Sequence, residues 1–589
     1  MYDLRNEIKI FTSEYNVENH EQAKIKANNL IKKYPQKIEL LKVIGIVFAQ
    51  NKKAEDAIKI FKKILAIDPQ SIDTIINIGN AYYESNKLNK ALEYLEKAKS
   101  LNSRQSEVYF NLGLVYEKDE NSTKAISNYK QSIKYNSNNP DALINLGNIY
   151  LQNKDYDSAR KAFEKAVSLR PNNPNLYHNL GVVLTRLDNL EKAIEFYYQA
   201  KKLNSKNPLT YYNLGYLFTK NLKIKESIDN YKESIKLNPN NAKFYYNLAL
   251  AETELGKYYA AIISYKSAIN ILNNYVSAKY NLSRLNLATE NFIDGWHDFE
   301  ERHHQDIVPQ RVKNVLLLKR WKGIAFKGKI FVHGEQGVGD IILHSSMVFD
   351  LYKIQPNIYL TVDERLVSLF KRSFKRINIL GYDSNLDFNN NDCHITLASL
   401  GAFFRKSLSD FPNKPKAYIL PNKDKVNYFN KILSQNKKIK IGLSWSTIGD
   451  RSSNRTIPLD NLSKFLTLKD FDFINLQYGD SFEERKNFKE KFHKEIINFD
   501  DFNLTNDFEN LSALIKSCDL VITISNVIAH LSGAIGKKTW VIVPLNTQWH
   551  WFHDRNNSLW YPNVKLFRQT QYGKWENIIE KIYNEILNL

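Results

Sequence analysis

A chain of 589 residues is too long for one compact core and implies several domains. Hydrophobic residues at 43% and charged residues at 25% are the proportions of a folded soluble protein and exclude a disordered one. The formal net charge of +20 comes from lysines scattered among Asn and Ile rather than from a basic tract, so it points to no nucleic-acid partner and suits an anionic small molecule such as a nucleotide diphosphate.

The opening stretch MYDLRNEIKIFTSEYNVENHEQ mixes acids and bases around no long apolar core, which is not the build of a signal peptide. No run approaches the roughly 18 apolar residues of a membrane span, so no span and a cytoplasmic location are expected. Further along, Asn-Leu-Gly or a near variant recurs at Asn77, Asn111, Asn145, Asn179, Asn213, Asn247 and Asn281, always 34 residues apart. That constant period is the signature of tetratricopeptide (TPR) repeats. The Gly or Ala of the triplet lets one helix approach its partner, on which Ala57, Ala91, Ala159, Ala193 and Ala261 supply a second small residue. Phe61, Leu95, Phe163, Tyr197 and Tyr265 fill the space nearby, and Pro69, Pro171 and Pro239 end their helices. Such units stack into a superhelix with a concave groove, here assigned to residues 1–308 as about eight units after a weaker helix pair. Tyr and Asn recur in YYNLGYLF, FYYNLALAE and LYHNLGVVL. They either hold an extended peptide in the groove or pack helix against helix; the array as a whole is expected to bind a protein or peptide.

From about residue 310 short apolar runs alternate with amphipathic segments: KIFVHG, NIYLTVD, INILGYD and CHITLA, then KIKIGLSW, DFINLQYG, CDLVITISN and KTWVIVP. Short buried strands separated by helices predict parallel, doubly wound sheets. The segment ILPNKDKVNYFNKILSQNKK, with Pro421, reads as the link between two Rossmann-like lobes at residues 309–421 and 422–589. Cys393 and Cys518 lie far apart without metal spacing and read as buried structural thiols.

The turn HGEQGVGDIILHSSM, His333 to Met347, is neither a Walker loop nor a GxGxxG fingerprint, because its glycines fall at Gly334, Gly337 and Gly339 with no Gly-Lys-Ser/Thr after them. Asp340 begins the next helix and places its own charge at the positive helix end, which disfavours a phosphate there. On residue type it is either a helix cap or a working acid.

The segment WKGIAFKGKIFVHGEQGVGDIILHSSM resembles the start of the catalytic region of bacterial TPR-containing glycosyltransferases, which are related to the heptosyltransferases of glycosyltransferase family 9 and their GT-B fold; DGWHDFEERH, Asp294 to His303, is similar to the junction before it. The resemblance implies that Asp340, in Gly339-Asp340, is the general base that takes the acceptor's hydroxyl proton. It makes Glu335, Gln336, Gly337 and Gly339 the acceptor loop, where glycine admits the acceptor close to the backbone. SCDLVITISNVIAHLSGAIGKKTWVIVP, Ser517 to Pro544, is similar to the family's donor-binding strand, turn and helix. Ser525 and Asn526 are placed to cap a helix over 527–535 whose amino end would seat a diphosphate. His530 lies on the same face, as a phosphate contact or a packing histidine, and Gly533 lets the helix sit close to sheet or ligand. In GLSWSTIGDRSSNRTIPLDNLSKF, beside Trp445, Arg451 and Arg455 are the candidates for stabilising the leaving diphosphate. Gln477 in INLQYGD is placed to meet the nucleotide or merely a loop. The Trp-rich stretch NTQWHWFHDRNNSLWYPNVKLFRQ is either an aromatic platform for a base or sugar or packing beneath the last helix. The acids of DFD, Asp470 and Asp472, look like a metal motif of other glycosyltransferases but sit at a strand entry, and no metal or cofactor is expected.

The resemblance thus implies a metal-independent inverting glycosyltransferase with an all-α TPR superhelix followed by an α/β GT-B fold, moving a sugar from a nucleotide-sugar donor to a protein recruited by the repeats. Two departures, Asn526 where the family usually has Asp and no Arg near Ser346, support a second reading: a TPR scaffold whose transferase half has lost its chemistry.

Overall fold

The computed structural model describes residues 2–14, 20–304, 318–382, 384, 387–414, 416–447 and 456–589. The chain divides into two units, residues 1–217 and 218–589.

The first unit is all-helical. After the helices Tyr2–Glu14 and His20–Lys33, helix pairs begin at residues 38, 72, 106, 140 and 174, the first helix of each pair having 13 residues and the second 14. The glycine of each triplet abuts a large side chain on the partner helix: a methyl group added at Gly113 would lie 2.5 Å from the Tyr129 ring, and Gly79, Gly147 and Gly181 face Leu95, Phe163 and Tyr197 in the same way. The partner-helix alanines Ala57, Ala91, Ala159 and Ala193 are fully buried. Between the two helices of each pair the chain turns through one left-handed residue, Lys52, Asn86, Glu120, Lys154 and Asp188 in succession. Pro140 and Pro174 open their helices, where the missing N–H is no loss. Two of the triplet asparagines bond between helices: Asn145 donates to the Tyr129 hydroxyl at 3.3 Å, and Asn179 to Asn148 at 3.2 Å.

The second unit opens with the later repeats, including Ala242–Glu254, Tyr258–Ile271, Val276–Ala288 and the short Phe292–Phe299 helix. Two five-stranded sheets follow, parallel throughout. The first contains β1 (Lys319–Arg320), β2 (Ile330–His333), β3 (Ile358–Val362), β4 (Asn378–Gly381) and β5 (Cys393–Thr396), in the order β1-β5-β2-β3-β4. The second contains β6 (Ile439–Ser444), β7 (Phe471–Asn475), β8 (Leu520–Ile524), β9 (Thr539–Val543) and β10 (Val564–Arg568), in the order β10-β9-β8-β6-β7. β2, β8 and β9 are buried along their whole length, as parallel strands covered by helices on both faces must be. Each sheet reverses its winding once, between β2 and β5 and between β6 and β8, and the carboxyl ends of strands at such a reversal are where open α/β sheets bind ligands. The linking segment forms the Lys423–Leu433 helix, capped by the Asn422 side chain on the Asp424 and Lys425 amides.

One hydrophobic core runs from Ala249 to Leu566, so the last repeats share an interior with the sheets. Trp296 is its joint: it is 2% exposed, its indole N–H donates to the Arg405 carbonyl at 2.8 Å, and its ring lies edge-on to Trp549 at 5.3 Å. Among the described residues no helix is long and apolar enough to cross a membrane.

The helix contact at Gly113 gives a direct test. Gly113→Ala gains roughly 1 kcal/mol of helix propensity but must displace the buried Tyr129 ring; a net loss of about 1–2 kcal/mol is expected in urea unfolding.

Candidate functional site

The site is built on the two turns that leave the sheets at their reversals. After β2, Gly334 leads into the Val338–Ser345 helix, and its carbonyl accepts from the Tyr382 hydroxyl at 2.6 Å. The cap position is Gly337, which has no capping side chain, and Asp340 is the third residue of the helix. The Asp340 carboxyl lies beside Gly337, whose N–H favours its charged form. Burial raises the Asp340 carboxyl to about 6, the Glu335 charge adds to this, and Arg284 and the Gly337 N–H oppose it.

Glu335 is held by Arg302, which donates to it through Nη2 at 3.0 Å and Nε at 3.3 Å. Arg302 is 7% exposed and also bonds Thr396 at 2.9 Å, Ser399 at 2.7 Å and Glu300 at 3.1 Å, with its guanidinium over the Phe299 ring. Despite that partner, burial leaves the Glu335 carboxyl above its ordinary range. Gln336 is half-buried and Gly337 exposed. Gly339 faces the other lobe: a methyl group there would sit 3.0 Å from His530 and 3.7 Å from the Val527 Cα, so the glycine lets the two helices meet at their amino ends.

The turn after β8 carries the Val527–Ile535 helix, with Asn526 as its cap. The Asn526 oxygen accepts from Ile528 N and Thr523 Oγ1, both at 3.0 Å. Its amide nitrogen donates to Ser444 Oγ at 2.9 Å and to the Ser446 carbonyl at 3.4 Å, so the side chain ties β8 to β6 across the reversal. Ser525 is not a cap; its hydroxyl joins Gln548 at 2.9 Å and the Trp551 indole at 2.7 Å. His530 is buried, stacked on Trp551 with ring centroids 5.2 Å apart, and bonded to the Tyr561 hydroxyl at 3.2 Å; burial lowers it to about 3, which keeps it neutral. Gly533 admits the Tyr561 ring.

Gln477 is 5% exposed and clamps the turn after β6. Its oxygen accepts from Ser444 Oγ, Trp445 N and Ser446 N at 2.9–3.0 Å, and its nitrogen donates to the carbonyls of Ser446 at 3.1 Å and Tyr478 at 2.8 Å. Trp445 is buried, its indole donating to Glu484 at 2.9 Å. Arg451 and Arg455 lie outside the described residues. Trp549, Trp551 and Trp560 are buried in packing rather than displayed. Asp472 is ion-paired with Lys440 at 3.3 Å at the amino end of β7, away from the carboxyl-end turns. Beyond the carboxyl end of β7 a cavity of about 420 Å³ opens among Asn475, Gln477, Asn498, Phe499, Phe502 and Asn503.

Arg302 and Arg284 were missed as site residues in the sequence. Arg302 lies within the junction DGWHDFEERH, where nothing distinguishes it from its charged neighbours. Arg284 carries a usable signal: the equivalent positions 34 residues apart in earlier repeats hold Asn80, Leu114, Asn148, Val182, Tyr216 and Leu250, none of them charged.

Residues 79–119, 121–154, 147–188 and 223–252 match a family described as TPR repeat, and residues 174–207 and 242–274 one described as Tetratricopeptide repeat. The chain therefore carries TPR repeats, which point to protein or peptide partners. It is similar to Protein FlbA of Caulobacter vibrioides, 27% identical over 328 residues, which are 50% of this chain and 52% of that protein. It thus spans about half the length of that curated relative. Among solved structures it is similar to YrrB, a TPR protein with an unusual peptide-binding site, at 21% identity over 32% of this chain and 96% of that one, with a TM-score of 0.30. It is also similar to pilF of Pseudomonas aeruginosa, at 18% identity over 36% and 96%, with a TM-score of 0.32.

The Gln477 clamp predicts a strong asymmetry. Gln477→Glu turns a buried donor into a carboxylate oxygen facing two carbonyls, and a loss of at least about 2 kcal/mol is expected in urea unfolding. An unchanged midpoint would mean that the side chain is free to serve a ligand instead.

Proposed function

We propose that the α/β region is a glycosyltransferase that moves a sugar, with inversion and without a metal, from a nucleotide-sugar donor to a protein or peptide acceptor brought by the repeats. The observation that carries this reading is Asp340: a carboxyl raised to about 6, at a helix end beside the winding reversal of its sheet, next to Gly339, which meets the helix that leaves the reversal of the other. A base with a pKa near the working pH is both ionised and proton-accepting. In the reaction the acceptor hydroxyl oxygen bonds to the anomeric carbon, the bond from that carbon to the diphosphate oxygen breaks, and the hydroxyl proton passes to Asp340. Because attack comes opposite the leaving group, the anomeric centre inverts. The amino end of the Val527–Ile535 helix supports the departing diphosphate, with Arg451 and Arg455 assigned the same task. The cavity beyond β7, with Phe499 and Phe502 beside polar amides, is assigned to the nucleobase.

The scaffold reading has one observation in its favour: Trp445, Gln477 and Asn526 all direct their polar groups inward. The two readings part in a nucleotide-release assay against a panel of nucleotide sugars with cell lysate as acceptor. Turnover by the wild type, with Asp340→Asn reduced about 10²–10⁴-fold while still binding donor, is the expected outcome. Saturable donor binding without release by either protein selects the scaffold. Because Asp340 acts unprotonated, kcat/KM rises with pH through about 6 and is flat above it, and Asp340→Asn abolishes that limb.

A further inference from the structure

A cavity of about 250 Å³ separates the last repeats from the loop after β9. Thr253 and Glu254 line it from the Ala242–Glu254 helix, Arg284 from the Val276–Ala288 helix, and Asn546, Thr547 and Trp549 from the loop. We infer that this cavity is a binding site for an oxyanion, a carboxylate or phosphate carried on a sugar ring or an amino-acid side chain, held by the Arg284 guanidinium and the Thr547 hydroxyl. The site stands on its own geometry, whether or not the neighbouring centre transfers a sugar.

Three observations converge on it. Arg284 is half-buried in the cavity wall and makes no hydrogen bond or ion pair with any described residue; it lies over the Tyr280 ring at 5.9 Å and acts on the Asp340 carboxyl only through space. Four other arginines of this region are ion-paired, Arg302 with Glu335, Arg365 with Asp363, Arg372 with Glu509 and Arg405 with Asp350, and the half-buried Arg568 donates to the carbonyls of Arg555 and Trp551. A half-buried guanidinium whose N–H groups have no hydrogen-bonded acceptor is a site for a planar anion, which it grips through two parallel N–H groups. Second, Thr547 is 6% exposed, yet its hydroxyl has no hydrogen-bond partner. Its backbone is fixed, because Thr547 N donates to the Tyr258 hydroxyl at 2.9 Å and that hydroxyl donates to the Leu545 and Thr547 carbonyls at 3.2 Å. A buried hydroxyl left open on a pinned loop is a donor in waiting. Third, the acid in the lining is held by another group, since Glu254 accepts from the Asn546 amide at 2.6 Å. The N–H donors of Arg284 are thus left for a ligand.

Volume narrows the ligand. Sites for drug-sized molecules run from about 300 Å³ upward, so this cavity takes one ring or side chain and not an entire nucleotide sugar. Asn546 and Thr253 add neutral hydrogen-bonding groups for the uncharged part of such a ligand.

The test is calorimetric titration of the full chain with inorganic phosphate, glucuronate and glucose. Saturable binding of phosphate or glucuronate but not glucose is expected, weakened about tenfold or more by Arg284→Gln and to an intermediate degree by Arg284→Lys, which keeps the charge and loses the fork. Thr547→Val, close in shape to the wild-type side chain, is expected to weaken the same anion without lowering the unfolding midpoint, which separates a lost contact from a lost fold. Stronger binding of phosphate than of glucuronate assigns the site to a phosphate group, and the reverse to a carboxylated ring. Anion binding equal in the wild type and both Arg284 variants, equal binding of glucose, or no saturable binding of either anion would overturn the proposal.

Discussion

The burial of Trp296 is the contact on which the arrangement of the second unit depends. Its ring reaches from the last repeat into a space that only glycine at position 401 leaves open, since a methyl group there would collide with the indole. Removing a tryptophan from water is worth several kcal/mol by area alone, about 25 cal/mol per Å² over 150–250 Å², and the indole N–H is satisfied by the Arg405 carbonyl. Arg405 is in turn fixed by Asp350 at 3.0 Å. One side chain thus joins the repeats to the first sheet through Gly401 and Arg405 and to the second through Trp549. The consequence is chemical as well as architectural. Arg284, on the Val276–Ala288 helix, and Arg302, in the short turn after the last repeat, reach the electrostatic environment of a turn that leaves a β-sheet.

Arg302 shows why that matters. Two carboxyls, Glu335 and Asp340, lie within one short turn, each made more basic by burial. Had neither a cation nearby, each would push the other's proton affinity upward and one would stay protonated at neutral pH. Arg302 takes Glu335 into a pair that is itself tied to Thr396, Ser399 and Glu300, as a buried charge must be to persist. Asp340 makes no such ion pair, and its carboxyl is raised to about 6, so the two acids of the turn are set apart by their surroundings.

The repeats were legible in the sequence because their constraint is periodic: the same close approach recurs every 34 residues, so Gly113 against Tyr129 and Gly147 against Phe163 are one contact written twice. The parallel sheets were legible because strands buried on both faces read as unbroken apolar runs, as in LVITI and TWVIV. The polar residues at strand ends were not. Asn526 read as a helix cap at the donor site and Gln477 as a contact to the nucleotide or merely to a loop, but their partners, Ser444 and Ser446, lie more than thirty residues away in sequence. No local pattern announces such a pairing. Trp296 was hidden for the same reason, since Gly401 and Trp549 meet it only after both sheets have folded.

The two reversals are closed in different ways, and the difference bears on Asn526. At the first, between β2 and β5, the clamp is a charge: Arg302 bonds Glu335 after β2 and Thr396 at the end of β5. At the second, between β6 and β8, it is an amide: Asn526 bonds Ser444 at the end of β6 while capping its own helix. An aspartate at position 526 would cap the helix equally well, and better against the helix dipole. It would have no proton to give to the Ser446 carbonyl, however, and would place a carboxylate oxygen where that carbonyl already points. Asparagine is therefore the residue that both caps the helix and holds the crevice shut. With both clefts sealed at the floor, the groups left facing outward lie above them, at Asp340 and along the amino ends of two touching helices. The asparagine at position 526 is thus accounted for by how this crevice is closed.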